Sequence, residues 1–217
     1  MNSFKNKGGV LTQSYSYTND WFVGHQPVWA TLLRETKPKK ILEIGSYEGR
    51  SSCFIIDHAG QNQDIELHCI DTWCGGIEHK NLQINMSEVE NRFDQNTKLS
   101  IKNSPNNIYL HKYKGLSGVF LPKILTEVSQ GYFDLIYIDG SHQAPDVIYD
   151  AVLSFKLLRK GGVLIFDDYL WSEGVEGGNN LLRCPKIAID AFTNIYSQKV
   201  KILSAPLYQI YIIKIDD

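Results

Sequence analysis

A short glycine-containing segment, KILEIGSYEGRSS over residues 40–52, has the residue types of a ligand-binding loop. An apolar run carries the acid Glu43 at its end, and Gly45 and Gly49 complete the pattern E-x-G-x-x-x-G. Glycines let the backbone approach a ligand closely, and the start of a following helix adds a positive dipole end. A carboxylate here would repel a pyrophosphate but suits an ammonium group. The pattern predicts a site for a nucleoside with a cationic tail; a strand-turn-helix that binds nothing is the structural alternative.

Acidic residues also follow the other apolar runs. Asp71 closes ELHCI, about twenty residues beyond the glycine segment, where an acid can accept hydrogen bonds from both ribose hydroxyls. Asp139 and His142 follow YFDLIYI, and Asp167 and Asp168 follow VLIF. Carboxyl ends of parallel strands meet at one edge of a sheet, so we expect these side chains to converge there. Three carboxylates in a sheltered cleft would repel one another, and a hard cation with oxygen ligands relieves that repulsion.

The elements that must position these residues alternate between strand and helix. We predict strands at 41–44, 66–70, 107–111, 132–138 and 163–166, and helices at about 20–36, 50–57, 119–129, 145–158 and 185–195. Residues 199–203 and 208–215 flank an Ala-Pro turn and predict a closing hairpin. The pattern indicates an α/β fold, a Rossmann-like, doubly wound, seven-stranded and mostly parallel sheet that ends in an antiparallel hairpin.

Two segments stand outside this alternation. Residues 1–38 form an N-terminal arm and helix, and we expect the irregular part of the arm to lie over the active site. Residues 74–107 form a lid-like insertion with an amphipathic helix in its second part. In the insertion, Glu78 and His79 could touch a substrate, although such an exposed pair is more often solvated surface.

Length, charge and cysteine usage exclude several classes of protein. The 217 residues fit one α/β domain, 1–217. A net charge of −2 without long runs of one sign argues against nucleic acid and membranes as partners and favours a small polar substrate; self-association is left open. The four cysteines lack C-x-x-C spacing and predict free thiols in a reducing compartment. With no signal core and no run of membrane length, a cytoplasmic protein is expected.

Several motifs taken together resemble those of the class I S-adenosylmethionine-dependent methyltransferases. They are EIGSYEGRS, the aspartate after the second strand, YIDGSH, GGVLIFDDY and the closing hairpin, and they span nearly all of the chain from Lys39 onward. Within that superfamily the chain is similar to the metal-dependent small-molecule O-methyltransferases of the catechol type and of the type that modifies macrolide or aminocoumarin sugars. The resemblance implies transfer of a methyl group from S-adenosylmethionine to a hydroxyl of a small molecule, with a sugar or glycan-linked hydroxyl as the leading acceptor.

The resemblance also implies which residues hold the methyl donor. Glu43 and Gly45 would meet its amino-acid end, and Asp71 would hold its ribose. Ser117 would lie near the adenine. The remaining implied donor contacts are Ser46, Gly49, Thr72, Asp139, Gly140 and Ser141, with Tyr47 and Ser51 beside the methionine portion.

A cation site and a base are implied in the same way. Asp139, Asp167 and Asp168 match three positions that hold a divalent cation, usually magnesium, in that subgroup. The catechol enzymes carry asparagine at the last position, so Asp168 is closer to the sugar-modifying type. Such an ion would chelate two adjacent substrate hydroxyls and lower the pKa of one of them. His142 stands where some sugar enzymes have a histidine, and with Asp139 it forms the predicted catalytic pair, His142 being the general base.

Other functions remain open from the sequence alone. A metal-independent methyltransferase of another acceptor, a nicotinamide-dependent oxidoreductase and a donor-binding protein without catalysis share much of the pattern. Glu43 and the missing G-x-G-x-x-G motif argue against the oxidoreductase. For the aspartates, the structural alternative is that Asp139 and Asp167 only cap strand ends and bind the donor or water. For His142, it is a hydrogen-bonded structural histidine.

Overall fold

The fold is built on one mostly parallel sheet. The computed structural model describes residues 14–76, 83–172 and 180–217. The strands in these ranges are β1 (Lys40–Ile44), β2 (Ile65–Asp71), β3 (Ile108–Lys114), β4 (Phe133–Ile138), β5 (Leu158–Phe166), β6 (Val200–Ile202) and β7 (Ile210–Lys214). They form a seven-stranded sheet in the order β3-β2-β1-β4-β5-β7-β6. The pairs among β1 to β5 are parallel, whereas β7 is antiparallel to both β5 and β6. The predicted fold class is confirmed.

Helices cover both faces of this sheet. In the described ranges they are α1 (Gln26–Thr36), α2 (Arg50–Ala59), α3 (Met86–Asn103), α4 (Ser117–Val128), α5 (Ala144–Leu157) and α6 (Pro185–Ile195). Buried residues of α1, α2 and α3 pack on one face, and those of α4, α5 and α6 pack on the other. None of these helices combines the length and apolar character that crossing a bilayer requires. The predicted Glu78 and His79 lie outside the described residues.

The strands are continuous apolar runs because each of them contributes to two cores. In β4, Leu135 and Tyr137 face the α1–α3 side, while Ile136 and Ile138 face the α4–α6 side. All four are at most 3% exposed. A strand buried on both faces cannot show the apolar-polar alternation of a half-exposed strand. This explains why the unbroken runs in the sequence marked the centre of the sheet.

The starts of two predicted elements differ most from the structure, those of the first helix and of the fifth strand, since β5 begins at Leu158 rather than at residue 163. The first helix was expected from about residue 20, but α1 begins at Gln26 after a single 3-10 turn, Val23–His25, and has a proline in its first turn. Proline fixes a helical φ and needs no N–H partner there, so it favours the start of a helix at that point.

The second half of the insertion forms α3, in which Val89 and Phe93 are completely buried. That half is therefore part of a core layer.

The described part of the N-terminal arm is tied to the glycine loop and to α3. The backbone N–H and the hydroxyl of Thr18 each donate to Glu48 at 2.7 Å. The Arg92 side chain donates to the same carboxylate at 2.6 Å. Asn96 on α3 bonds to both the N–H and the carbonyl of Ser16. The arm thus fixes Glu48, which precedes Gly49 of the loop.

Gly45 is the point at which the loops after β1 and β4 touch. Its φ is +88°, and a Cβ at this position would lie 1.9 Å from the backbone oxygen of Asp139. The Gly45 N–H donates to the Ile70 carbonyl at 2.8 Å, and the Asp139 N–H donates to the Ile44 carbonyl at 2.7 Å. The hydrogen bonding between strands therefore continues past the strand ends, which leaves no room for a side chain.

We expect Gly45→Ala to lower the free energy of unfolding by at least about 2 kcal/mol, because the added methyl group meets backbone and the φ favours glycine. Urea unfolding of the wild type and the variant measures the difference. Gly24→Ala is the matched control, since a Cβ at Gly24 meets nothing within 4 Å. Its effect should stay within about 0.5 kcal/mol. Equal stability of the two variants would contradict this account of the loop contact.

Candidate active site

A cleft of about 400 Å³ opens at the carboxyl ends of the central strands. Seven of the predicted site residues line it: Gly45, Asp71, Thr72, Ser117, Gly140, Ser141 and His142. Other lining residues, which the sequence did not single out, include Leu116, Gln143, Tyr149 and Asp150. Ligands of open α/β sheets bind in such crevices, and this volume is that of a small-molecule site.

Asp71 holds the glycine loop in place. Its carboxylate accepts the backbone N–H groups of Ser46 at 2.9 Å, Tyr47 at 2.8 Å and Trp73 at 2.7 Å. Tyr47 and Trp73 both have left-handed φ values, +48° and +46°, which are uncommon for such bulky residues. The three bonds stabilise this backbone. A carboxylate offers about four acceptor positions, so Asp71 keeps capacity for the ribose hydroxyl predicted for it.

Glu43 lies beneath the loop and is completely buried. Its carboxylate accepts hydrogen bonds from the hydroxyls of Ser46, Ser51 and Ser52 and from the thiol of Cys69. Removal from water raises the pKa of Glu43, and the donated hydrogen bonds oppose that rise. These contacts tie β1 to the first turn of α2. Glu43 is not among the residues that line the cleft, and its contact with the donor ammonium stays a prediction.

Five other residues predicted to contact the donor do not line the cleft. They are Ser46, Tyr47, Gly49 and Ser51 in or next to the glycine loop, and Asp139 directly after β4. Gly49 has a φ of +77°, and a Cβ there would meet the Phe93 ring at 3.0 Å. The structure therefore gives this glycine a packing role against α3. Roles of these residues in binding the donor stay predictions.

Asp139 and Asp167 converge on one hydroxyl group. The Tyr137 oxygen is 3.0 Å from Asp139 Oδ2 and is also hydrogen-bonded to Asp167 Oδ2. The Gln209 amide donates to the same Asp167 oxygen at 3.0 Å. Although residue Asp139 is exposed, desolvation of its carboxyl group by neighbouring protein atoms, followed by repulsion from Asp167 and Asp168, raises its pKa well above the ordinary range. Desolvation and Asp168 also raise the pKa of Asp167.

The chemistry of this donor set fits a hard cation in part. Two repelling carboxylates near one hydroxyl offer the oxygen ligands that magnesium prefers. The third predicted ligand, Asp168, is directed to His142 instead, with 2.8 Å between Asp168 Oδ2 and His142 Nε2. Within the part of the chain that the structure describes, the oxygens of the three aspartates do not all lie within 4.8 Å of one another. Magnesium binding stays a prediction that requires Asp168 to turn.

His142 has the partners of an oriented base. Besides its contact with Asp168, its ring stacks on Trp171, with ring centroids 3.8 Å apart and an angle of 27° between the planes. Asp168 itself has a left-handed φ of +57°, a conformation that is uncommon outside glycine and often found at functional sites. A histidine held by a carboxylate at the rim of a cleft can accept a proton from a bound hydroxyl.

Asp150 is a site residue that the sequence analysis missed. It lies on the inward face of α5, one turn after Val147, and is only 1% exposed. Burial raises the pKa of its carboxyl group to about 7, against a hydrogen bond from Ser117 and with repulsion from Asp146. An acid on the apolar face of a predicted helix was the signal that could have revealed it.

Other missed residues carried no such signal. Tyr137 stands within an apolar strand, and Trp171 follows the DDY motif by two positions. Gln209 precedes β7, and only the pairing of Ile210 with Phe166 brings it beside Asp167. Trp29 and Tyr211 in turn donate to the side-chain oxygen Oε1 of Gln209. These bonds fix the Gln209 amide that donates to Asp167.

The raised pKa of Asp150 gives stability a defined pH dependence. The stability that its protonated form provides is complete below its unfolded-state pKa of about 4 and is lost as pH rises through about 7. Asp150→Asn should therefore be more stable than the wild type at about pH 8, by on the order of 3 kcal/mol, and lose that advantage near pH 4.

Denaturant unfolding at both pH values measures this difference. Glu35→Gln, which removes an exposed acid of α1 that does not line the cleft, is the control and should change the curve much less. A wild type that keeps the same stability relative to Asp150→Asn at both pH values would show that Asp150 is ionised in the folded protein.

Comparisons with known proteins identify the family. Residues 42–169 match a family model described as a methyltransferase domain. A probable caffeoyl-CoA O-methyltransferase 3 from Dictyostelium discoideum is 27% identical over 164 residues, which are 74% of this chain and 54% of that protein. The chain spans about half the length of the curated relatives it matches.

Solved structures share the fold at low sequence identity. An O-methyltransferase from Bacillus cereus in complex with S-adenosylhomocysteine has a TM-score of 0.57 at 15% identity, covering 93% of this chain and 84% of that chain. The apo structure of CalS11, a TDP-rhamnose 3′-O-methyltransferase of calicheamicin biosynthesis, has a TM-score of 0.58 at 16% identity, covering 92% and 82%. Together with the match over residues 42–169, which is more than half of the chain, they lead to one conclusion: the protein belongs to the methyltransferase-domain family.

Proposed function

We propose that the protein is an S-adenosylmethionine-dependent O-methyltransferase that acts on a hydroxyl group of a small molecule. The observation that carries this proposal is a cleft lined by Gly45 of the glycine loop, by Asp71 and by His142, which pairs with Asp168. The D. discoideum relative and both solved structures are named O-methyltransferases, and one of them holds S-adenosylhomocysteine. The cleft thus joins a nucleoside site to a base.

The donor would lie along the cleft with its sulfonium near His142. Gly45 allows close approach of the backbone, and Asp71 has acceptor capacity for the ribose. Ser117 and Asp150 would meet the adenine, since both line the same wall. A carboxyl group with a pKa of about 7 can accept a hydrogen bond from the adenine amino group or donate to a ring nitrogen.

In methyl transfer, no covalent bond forms between the protein and the substrate, since the methyl group passes directly from the donor to the acceptor. The acceptor oxygen attacks the methyl carbon, the carbon–sulfur bond breaks, and its electron pair goes to sulfur to give S-adenosylhomocysteine. Because the sulfonium already activates the methyl group, catalysis rests on alignment and on removal of one proton. His142 would take that proton at a ring nitrogen, and Asp168 would orient the ring and stabilise its charge.

A divalent cation, magnesium by preference, would be held by Asp139 and Asp167, with Asp168 as a third ligand once its carboxylate turns from His142. The stacking of His142 on Trp171 would then keep the ring in place. When bound there, the cation lowers the pKa of a substrate hydroxyl and fixes its orientation. The support is that these carboxylates lie close enough to affect one another: desolvation first, and then their mutual repulsion, raises the pKa of Asp139 and Asp167. Asp139 would in that case act in catalysis as a ligand rather than as a base.

The leading acceptor is a sugar or glycan-linked hydroxyl. Aspartate rather than asparagine at position 168 supports it, as does the fold shared with a TDP-rhamnose 3′-O-methyltransferase. Trp171 offers an apolar surface beside His142 on which a sugar ring could stack. The D. discoideum relative, named for caffeoyl-CoA, supports a phenolic hydroxyl as the second candidate.

A cytoplasmic location is proposed from the four free thiols.

The donor assignment predicts that S-adenosylhomocysteine binds with a micromolar dissociation constant and that NADH does not. Isothermal titration calorimetry of both ligands measures this directly. Asp71→Ala should weaken binding at least about tenfold, because the glycine loop loses two hydrogen bonds, Trp73 loses one, and the ribose loses its acceptor. Asp64→Ala, which removes an exposed acid just before β2, is the control. Binding of NADH alone would replace the methyltransferase with an oxidoreductase.

The base assignment predicts that His142→Ala lowers kcat by about 10²–10⁴-fold while the dissociation constant of S-adenosylhomocysteine stays within about twofold. Formation of S-adenosylhomocysteine, assayed with sugar and catechol acceptors, gives kcat. His58→Ala removes an exposed histidine of α2 and serves as the control. Wild-type turnover by His142→Ala would leave His142 as a structural residue.

The cation assignment predicts that EDTA abolishes turnover and that magnesium restores it. Asp168→Asn should raise the magnesium concentration needed for half-maximal rate, because one anionic ligand is lost, and leave donor affinity nearly unchanged. The measurement is initial rate against magnesium concentration. Full activity in EDTA would support the metal-independent alternative.

A further inference from the structure

A second cluster of metal-ligand residues lies on β2 and β3, and we call Glu66, His68 and His111 the β2–β3 cluster. Glu66 Oε1 is 2.7 Å from His68 Nε2 and 3.4 Å from His111 Nε2. One ligand atom from each residue lies within 4.8 Å of the other two. The two imidazole rings stack with centroids 4.3 Å apart. Three potential ligand atoms thus lie close together.

The parallel register brings these residues together on one face of the sheet. His68 pairs with His111 across the two strands, and Glu66, two positions earlier, points to the same side as His68. None of the three lines the cleft. Glu66 precedes Asp71 by five positions, which is roughly 16 Å along a strand. The β2–β3 cluster is therefore separate from the donor cleft and from the aspartates.

Neighbouring hydroxyls hold the cluster from outside. The Tyr113 hydroxyl is 3.1 Å from His68 Nδ1, and the Tyr132 hydroxyl donates to Glu66 Oε2 at 2.8 Å. The Lys40 ammonium lies 3.6 Å above the Tyr132 ring. Partners of this kind fix the tautomer and the orientation of metal ligands, and they are a regular part of metal sites in proteins.

We propose that Glu66, His68 and His111 form a binding site for a first-row divalent cation of the zinc class. Two imidazole nitrogens and one carboxylate oxygen suit zinc, cobalt or nickel, whereas magnesium prefers oxygen ligands only. Around a tetrahedral zinc with bonds of about 2.1 Å, ligand atoms are about 3.4 Å apart. The Glu66–His111 distance already has this value, and the Glu66–His68 distance must widen.

Binding moves one proton within the cluster. Without metal, His68 Nε2 faces the Glu66 carboxylate. With metal bound, the His68 proton is on Nδ1, which donates to the Tyr113 oxygen, and the Nε2 lone pair binds the metal. The site is open from the His111 side, since that side chain is 46% exposed. Water completes the coordination there. The ion would join the edge strand β3 to β2 and stabilise that edge of the sheet.

Zinc titration of the full chain by isothermal titration calorimetry tests the proposal. We expect one zinc per chain with a dissociation constant in the micromolar range or below, and a rise in melting temperature with zinc. His111→Ala should weaken binding at least about tenfold, since one of three ligands is lost. His58→Ala, an exposed histidine on α2, is the matched control and should bind as the wild type does.

Glu66→Gln is a second variant that keeps the size of the side chain, and melting without metal shows that each variant is folded. The cobalt complex adds a spectroscopic test, because nitrogen and oxygen ligands give visible d–d bands without the near-ultraviolet charge transfer of a thiolate. No zinc binding by the wild type, unchanged binding in His111→Ala and Glu66→Gln, or a thiolate band from the exposed Cys74 would overturn the proposal. Displacement of zinc by equimolar magnesium would overturn the ion class.

Discussion

The hydrogen bonds between Asp71 and the backbone of the glycine loop are the constraint on which the site depends. Asp71 accepts from Ser46 and Tyr47 of the loop and from Trp73 beside it, and Tyr47 and Trp73 have left-handed φ values. On its other side the loop meets the backbone of Asp139 at Gly45. A loop fixed on one side by a carboxylate and on the other by direct backbone contact cannot move without separating β1 from β4. The rigidity that a ligand would meet is therefore a property of the sheet itself.

Charge is the second organising factor. The sheet ends bring Glu43, Asp139 and Asp167 to one edge, and desolvation raises the pKa of each carboxyl group, although only Glu43 is fully buried. The protein treats them differently: Glu43 is satisfied by hydroxyls below the loop, whereas Asp139 and Asp167 share the hydroxyl of Tyr137. The first arrangement is complete within the protein. The arrangement of Asp139 and Asp167 around the Tyr137 hydroxyl has more acceptors than donors, which favours binding of a proton or a cation.

Much of the fold and part of the site followed from the sequence. Apolar runs buried on both faces and the acids at their ends fixed the strands and the edge at which Asp71, His142 and the aspartates gather. The rest depends on contacts distant in sequence. Gln209 reaches Asp167 only through the antiparallel pairing of β7 with β5, and Glu43 turned out to be enclosed because three serines of the following turn and helix face it.

The position of Gln209 also sets an order of events during synthesis. Its amide contacts Tyr137 and Asp167 from 72 and 42 positions further along the chain. The strand bearing Tyr137 and the strand preceding Asp167 leave the ribosome well before the hairpin that carries their partner. Until β7 joins β5, Asp167 and the Tyr137 hydroxyl lack their amide donor and β5 is an unprotected edge. The nascent domain must therefore pass through a stage that is exposed to pairing with other chains.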